Sequence, residues 1–170
     1  MIKHVAVLFG LLSLMTSFAL AESPDLRTPS PVIFLADNLD EADQLGWCID
    51  TVGRGFAESL HAHSCKPRGG DVQFSYNSET MQISSVPYRG KCMELVSLQE
   101  PLGLLDCADK AAQHFEFAGE NGRIQPGDRP DLCLTVGEAS RSAGPYMSRG
   151  LGFQTCEDGL AERQIWVFKL

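Results

Sequence analysis

Basic side chains are scarce in this 170-residue chain: 14 Lys plus Arg stand against 22 Asp plus Glu, for a net charge of -8. A polyphosphate backbone or an anionic lipid surface repels such a chain on average, which argues against nucleic-acid and phospholipid partners. Charge is also sparse overall, at 21% of residues, too little for a disordered chain. No helical period of any length is present. No Gly-x-Gly-x-x-Gly or Walker loop cradles a phosphate, and no serine stands in a Gly-x-Ser-x-Gly elbow. The chain has no Asn-x-Ser/Thr sequon. These gaps point away from nucleotide-dependent and hydrolytic enzymes, and no cofactor is expected.

A long apolar run occurs once. Lys3 and His4 precede apolar residues 5–21, which end in Ala19-Leu20-Ala21. A basic start, an apolar stretch and an A-x-A end have the form of a secretory signal peptide. The run is near the lower limit for spanning a bilayer and lacks a basic stop-transfer flank. Residues 1–21 are therefore expected to be cleaved, leaving no membrane segment and a secreted or periplasmic chain. Residues 22–31 carry three prolines and no apolar period and read as a linker, with the domain over 32–170.

All six cysteines, Cys48, Cys65, Cys92, Cys107, Cys133 and Cys156, fall after the signal. An even count in an oxidising compartment reads as disulfides, although sequence alone does not choose the pairing. A repeat is visible in their spacing. Cys48 to Cys92 is 44 residues and Cys92 to Cys133 is 41; Cys65 to Cys107 is 42 and Cys107 to Cys156 is 49. Periods of this size mark a repeated supersecondary unit.

Other positions keep the same phase. Leu60, Leu102 and Leu151 precede the second cysteine of each unit by five residues; Ala62, Leu104 and Phe153 precede it by three. That alternation describes a strand with one buried face. Phe74, Phe115 and Trp166 follow the same cysteine, each with an aromatic two residues on: Tyr76, Phe117 and Phe168. Ile83 and Ile124 lie nine residues beyond Phe74 and Phe115, across turn residues Asn77-Ser78 and Asn121-Gly122, so each aromatic strand forms a hairpin. The third unit ends before its Ile strand. Residues 32–35 (Val-Ile-Phe-Leu) supply it from the other end, closing the units into a barrel. One turn of helix is expected within residues 38–44.

With this pattern the chain resembles the ricin-type β-trefoil lectin domains. Cys48-Ile49-Asp50 resembles their Cys-x-Asp element. Gln164-Ile165-Trp166 resembles their Gln-x-Trp element, as does Gln113-His114-Phe115 with Phe for Trp. Asn121-Gly122-Arg123-Ile124 resembles their Asx-Gly-x-Ile hairpin. The resemblance implies an all-β fold, a β-trefoil of three four-stranded repeats with pseudo-threefold symmetry. It implies disulfides within repeats: Cys48–Cys65, Cys92–Cys107 and Cys133–Cys156. A zinc site at His61-Ala62-His63-Ser64-Cys65 is the rival use of one cysteine, but the other repeats carry no histidine beside theirs, and no metal is expected.

The resemblance also implies where a sugar binds. An Asp accepts hydroxyl hydrogen bonds, an aromatic two before the second Cys stacks on the ring, and two polar positions complete the pocket. In repeat one these are Asp50, His63, His61 and Asp71; Val72 stands where Gln is usual and is expected to loosen the loop. Repeat two has Glu94, Leu105, Gly103 and Ala112, and repeat three has Thr135, Gln154, Gly152 and Arg163, without a ring. The expected function is an exported carbohydrate-binding, lectin-like module with one weak glycan site in repeat one, for a galactose-like sugar by resemblance. The alternative is a protein-interaction or receptor-binding accessory subunit of a secreted complex or toxin, bound to a partner subunit. Catalysis ranks below both. Trp47 is expected in the core and Phe56 at the surface.

Overall fold

A computed structural model of the chain describes residues 22–99, 101–118 and 122–170. The expected signal peptide and Asn121 of the Asn-Gly turn lie outside them. The described part is a β-trefoil. Repeat one holds β1 (Val32–Leu35) only as a neighbour; its own strands are β2 (Trp47–Thr51), β3 (Leu60–Ser64), β4 (Phe74–Asn77) and β5 (Gln82–Ser85). Repeat two holds β6 (Lys91–Glu94), β7 (Gly103–Asp106), β8 (Phe115–Ala118) and β9 (Arg123–Pro126). Repeat three holds β10 (Leu132–Ala143), β11 (Tyr146–Thr155) and β12 (Trp166–Lys169), and takes β1 as its fourth strand.

The register shows the repeat directly. Tyr76 sits opposite Ile83, Phe117 opposite Ile124, and Phe168 opposite Ile33. The third hairpin is thus made by the two ends of the chain. Phe74, Phe115 and Trp166 are fully buried, with Ile33, Ile83 and Ile124 among them. Tyr76, Phe117 and Phe168 meet one layer out: the Phe168 ring centroid is 5.3 Å from Tyr76 and 4.4 Å from Phe117. Leu60, Leu102 and Leu151 belong to the same buried core.

The ladder is not one closed barrel. Among the described residues it divides into sheets of six, four and two strands. Most strands are only four or five residues long, and the seams between sheets are held by few bonds: Phe115 donates its N–H to Met81 O and Trp166 to Gly122 O, each at 2.7 Å, while Leu60 N–H donates to Leu102 O and Leu104 N–H to Glu58 O, each at 2.8 Å. Met81 and Gly122 are equivalent positions, both left-handed at φ 55° and 60°. A Cβ on Gly122 would lie 2.8 Å from the Trp166 carbonyl oxygen, so only glycine fits there without displacement.

The disulfides are Cys48–Cys65, Cys92–Cys107 and Cys133–Cys156, the pairing that the resemblance implies. Residues 38–44 form turns and no helix. Asn38, Asp37 and Glu41 spend their side chains on backbone N–H groups of the loop, which competes with a helical ladder. Residues 22–31 contain no strand but are tied down: Asp25 N–H donates to Gln44 O at 2.6 Å and Thr28 Oγ1 donates to Lys66 O at 3.0 Å.

Repeat three breaks the symmetry. Its β10–β11 hairpin continues past an irregularity after Val136, through Ser140 opposite Arg149, to a tip at Ala143 opposite Tyr146. The extension lies along β3, with Ser148 opposite His63 and Arg149 opposite Ala62. Arg149 fixes it there. This buried guanidinium donates to Asp40 at 3.1 Å through Nε, donates to the Gly137 and Glu138 carbonyls, and stands 5.1 Å from the Trp47 ring centre. Trp47 itself is fully buried.

Candidate functional site

The β2–β3 hairpin sets Asp50 opposite His61 and Cys48 opposite His63. The Cys48–Cys65 bridge then holds Lys66 beside the same hairpin. Asp50 Oδ2 accepts from Lys66 Nζ at 2.8 Å and lies 3.7 Å from His63 Nδ1 and 4.0 Å from His61 Nε2. Lys66 Nζ also donates to Asp71 Oδ1 at 2.6 Å. The four residues expected from sequence thus gather around one ammonium that sequence reading did not single out.

Their orientation departs from the expectation. Asp50 keeps 1% of its side-chain surface, and its Oδ1 accepts from the Thr51 N–H at 2.7 Å. A direct hydroxyl acceptor needs an exposed oxygen, and Asp50 has none: Lys66 stands in front of it. The open space is a cavity of about 370 Å³ with His61, His63 and Lys66 on its floor, Gly53 and Arg54 at its rim, and residues 143–146 of the repeat-three extension as its roof. Neither Asp50 nor Asp71 lines it. The Tyr146 ring stands edge-on to His63, with centroids 5.6 Å apart, and the His61 and His63 centroids are 5.5 Å apart.

Burial and charge set the protonation of the floor. Burial pushes the Asp50 carboxyl upward against the pull of Lys66. Burial opposes the Lys66 charge, yet hydrogen bonds to Asp50 and Asp71 outweigh it and hold the ammonium above its usual range. His61 is lowered to about 4, first by burial and then by His63, Arg141 and Lys66, with a small opposing pull from Thr51. Neither of its ring nitrogens has a partner of hydrogen-bond geometry among the described residues, although both are buried. His63 Nδ1 lies 3.0 Å from Ser64 O. A carbonyl only accepts, so Nδ1 is the donor in that contact.

The other repeats show what repeat one lacks. In repeat two, Gln113 donates to Glu94 at 2.8 Å; in repeat three, Gln164 donates to Thr135 at 3.0 Å. Val72 holds that position in repeat one and is fully buried. The turn nevertheless keeps its shape: Gln73 N–H donates to Gly70 O at 3.0 Å, as His114 does to Ala111 O. Val72 therefore leaves the loop closed and offers the acid no amide; Lys66 holds Asp50, as Lys110 Nζ holds Glu94 at 2.8 Å in repeat two beside Gln113. A second cavity of about 440 Å³ contains Thr135, Gly152 and Gln154 of repeat three with His61, Val52 and Leu98. Phe56 is exposed, packs edge-on to Tyr88 at 5.3 Å, and does not line the repeat-one cavity.

Sequence reading missed Lys66, Tyr146 and Arg149. The signal for the last two was present as length: the third cysteine pair is 23 residues apart against 17 and 15. No family model matches the chain, and no curated protein matches it. Among solved structures, the crystal structure of GalNAc-T7 with UDP, GalNAc and Mn2+ is similar over 72% of this chain, at 15% identity and a TM-score of 0.53. The likeness covers 20% of that protein's length and bears on the fold alone.

Proposed function

We propose that the chain is an exported carbohydrate-binding module with one glycan site, in repeat one, and that it binds without catalysing. The observation that carries this reading is the repeat-one cavity, where two rings, His63 and Tyr146, converge with the polar groups of His61 and Lys66. Such a mixture suits a pyranose: flat rings cover its C–H faces, and donors and acceptors fix its hydroxyls. Asp50 and Asp71 act as positioning residues that hold Lys66 in place. Repeats two and three are scaffold. Affinity is weak, because one small cavity buries little surface.

The test is a glycan array on the disulfide-intact chain, followed by calorimetry of any hit with wild type and Tyr146→Ala. One bound sugar per chain, lost or much weakened in Tyr146→Ala, supports the reading. Binding that survives this change places the site elsewhere. A second reading, recognition of a protein partner, is favoured by the exposed apolar residues Val52, Val96 and Leu98; silence on the array with capture by a co-exported subunit supports it.

A further inference from the structure

The cavity wall has one sign of charge. Among the described residues Arg54 and Lys66 line it and no carboxylate does, in a chain whose net charge is -8. Arg54 makes no ion pair and no hydrogen bond among the described residues; it projects from a loop between Gly53 and Gly55, both with positive φ. Lys66 has three N–H donors. Asp50 and Asp71 take two, and the third remains for the cavity. His61 adds two buried ring nitrogens with no partner of hydrogen-bond geometry among the described residues. Arg141 stands close enough to disfavour His61 protonation and makes no ion pair among the described residues.

Neutral diol recognition by a carboxylate is closed here, since Asp50 is buried behind Lys66. Asp50 and Asp71 together cancel Lys66 and Arg54, so the preference depends on which groups face the ligand. The cations and His61 face it; the two acids do not. A bound anion would satisfy the free Lys66 donor, an N–H of His61 and the Arg54 fork together, and a planar carboxylate suits that fork.

We infer that the repeat-one cavity takes a sugar bearing a carboxylate, of the uronic or sialic acid class, in place of the neutral galactose-like sugar expected from the resemblance. The carboxylate sits between Lys66, Arg54 and His61, and the sugar ring lies against His63 and Tyr146. This rests on the glycan reading of the same cavity.

The experiment uses matched pairs on the disulfide-intact chain: methyl glucuronide against methyl glucoside, and sialyllactose against lactose, by calorimetry at low salt. A sulfated galactose and plain acetate complete the panel. The expected result is binding of at least one acidic sugar tenfold or more tighter than its neutral parent, weakened by added salt. Arg54→Ala should then lose roughly tenfold for the acidic sugar and little for a neutral one, the loss of one charge-assisted hydrogen bond. Arg54 is exposed between two glycines, and an unchanged unfolding midpoint will show that the variant folds. Equal binding of acidic and neutral partners overturns the inference and leaves the glycan reading standing. The same holds for stronger binding of the sulfated sugar. Acetate binding as well as the sugars also overturns it, and so does an acidic preference unchanged in both Arg54→Ala and Tyr146→Ala. Failure of every sugar to bind overturns both.

Discussion

His61 links the stability of the fold to pH, and the sign follows from its surroundings. Its side chain keeps 10% of its surface and its pKa falls from 6.5 to about 4 in the folded protein. The unfolded chain takes up a proton below pH 6.5 that the folded chain refuses until about pH 4. Stability from keeping His61 neutral is therefore complete above pH 6.5 and is lost as pH falls through that window. The full linkage would be about 3 kcal/mol. Water at the mouth of the cavity screens the ring and discounts this to about 1–2 kcal/mol. Asp50 has the opposite sign: its raised carboxyl is relieved as pH falls. Asp50 lies 4.0 Å from His61, so a His61 variant that keeps a neutral polar side chain beside it is the one to compare. Asp40, whose carboxyl is lowered even though burial opposes it, acts below 3.8, outside the window. The perturbation is His61→Gln, and the assay is urea unfolding of disulfide-intact protein near pH 7 and about pH 4.5. Wild type should lose about 1–2 kcal/mol more than the variant between these conditions. Equal losses would refute the account of a neutral, desolvated His61.

Three further outcomes are expected. Lys66→Met leaves Asp50 buried beside Asp71 without a cation and should cost about 2–4 kcal/mol by urea unfolding, most of it recovered in Lys66→Met with Asp50→Asn; a loss of only a few tenths would show that the ammonium does not hold the cluster. Gly122→Ala forces a Cβ against the Trp166 carbonyl at a left-handed position and should cost about 2 kcal/mol, and an unchanged midpoint would contradict the seam described here. Trp166→Ala empties a fully buried site and removes the bond from Nε1 to Leu134 O at 2.9 Å, for about 3–5 kcal/mol by the same measurement.

The trefoil was legible because its core is periodic. Phe74, Phe115 and Trp166 hold one phase, and each strand is too short to disguise it. Even the strand borrowed from the other end of the chain followed from counting which Ile was missing. The site was legible as a list of side chains and illegible as a geometry. Asp50 reads as an acceptor in any alignment of repeats; that it faces inward depends on Lys66, whose relevance lies in asking what neutralises a buried acid. Tyr146 belongs to another repeat and reaches the cavity through an extended hairpin. Nothing in its local pattern says which neighbour it covers. The bond from Phe115 to Met81 between sheets was equally hidden, because Met81 at a left-handed position carries no glycine to mark it.

The roof over the repeat-one cavity has a consequence for how such a site arises. Threefold duplication of an ancestral unit yields three equal pockets, and losing residues from two of them leaves one. That route does not produce this site. A synthetic trefoil built from three copies of repeat one would carry Asp50, His61, His63 and Lys66 three times over and would have no Tyr146 anywhere. Here the proposed binding surface is a property of the broken symmetry: one repeat supplies the floor, another the roof, and Arg149 is the clasp between them.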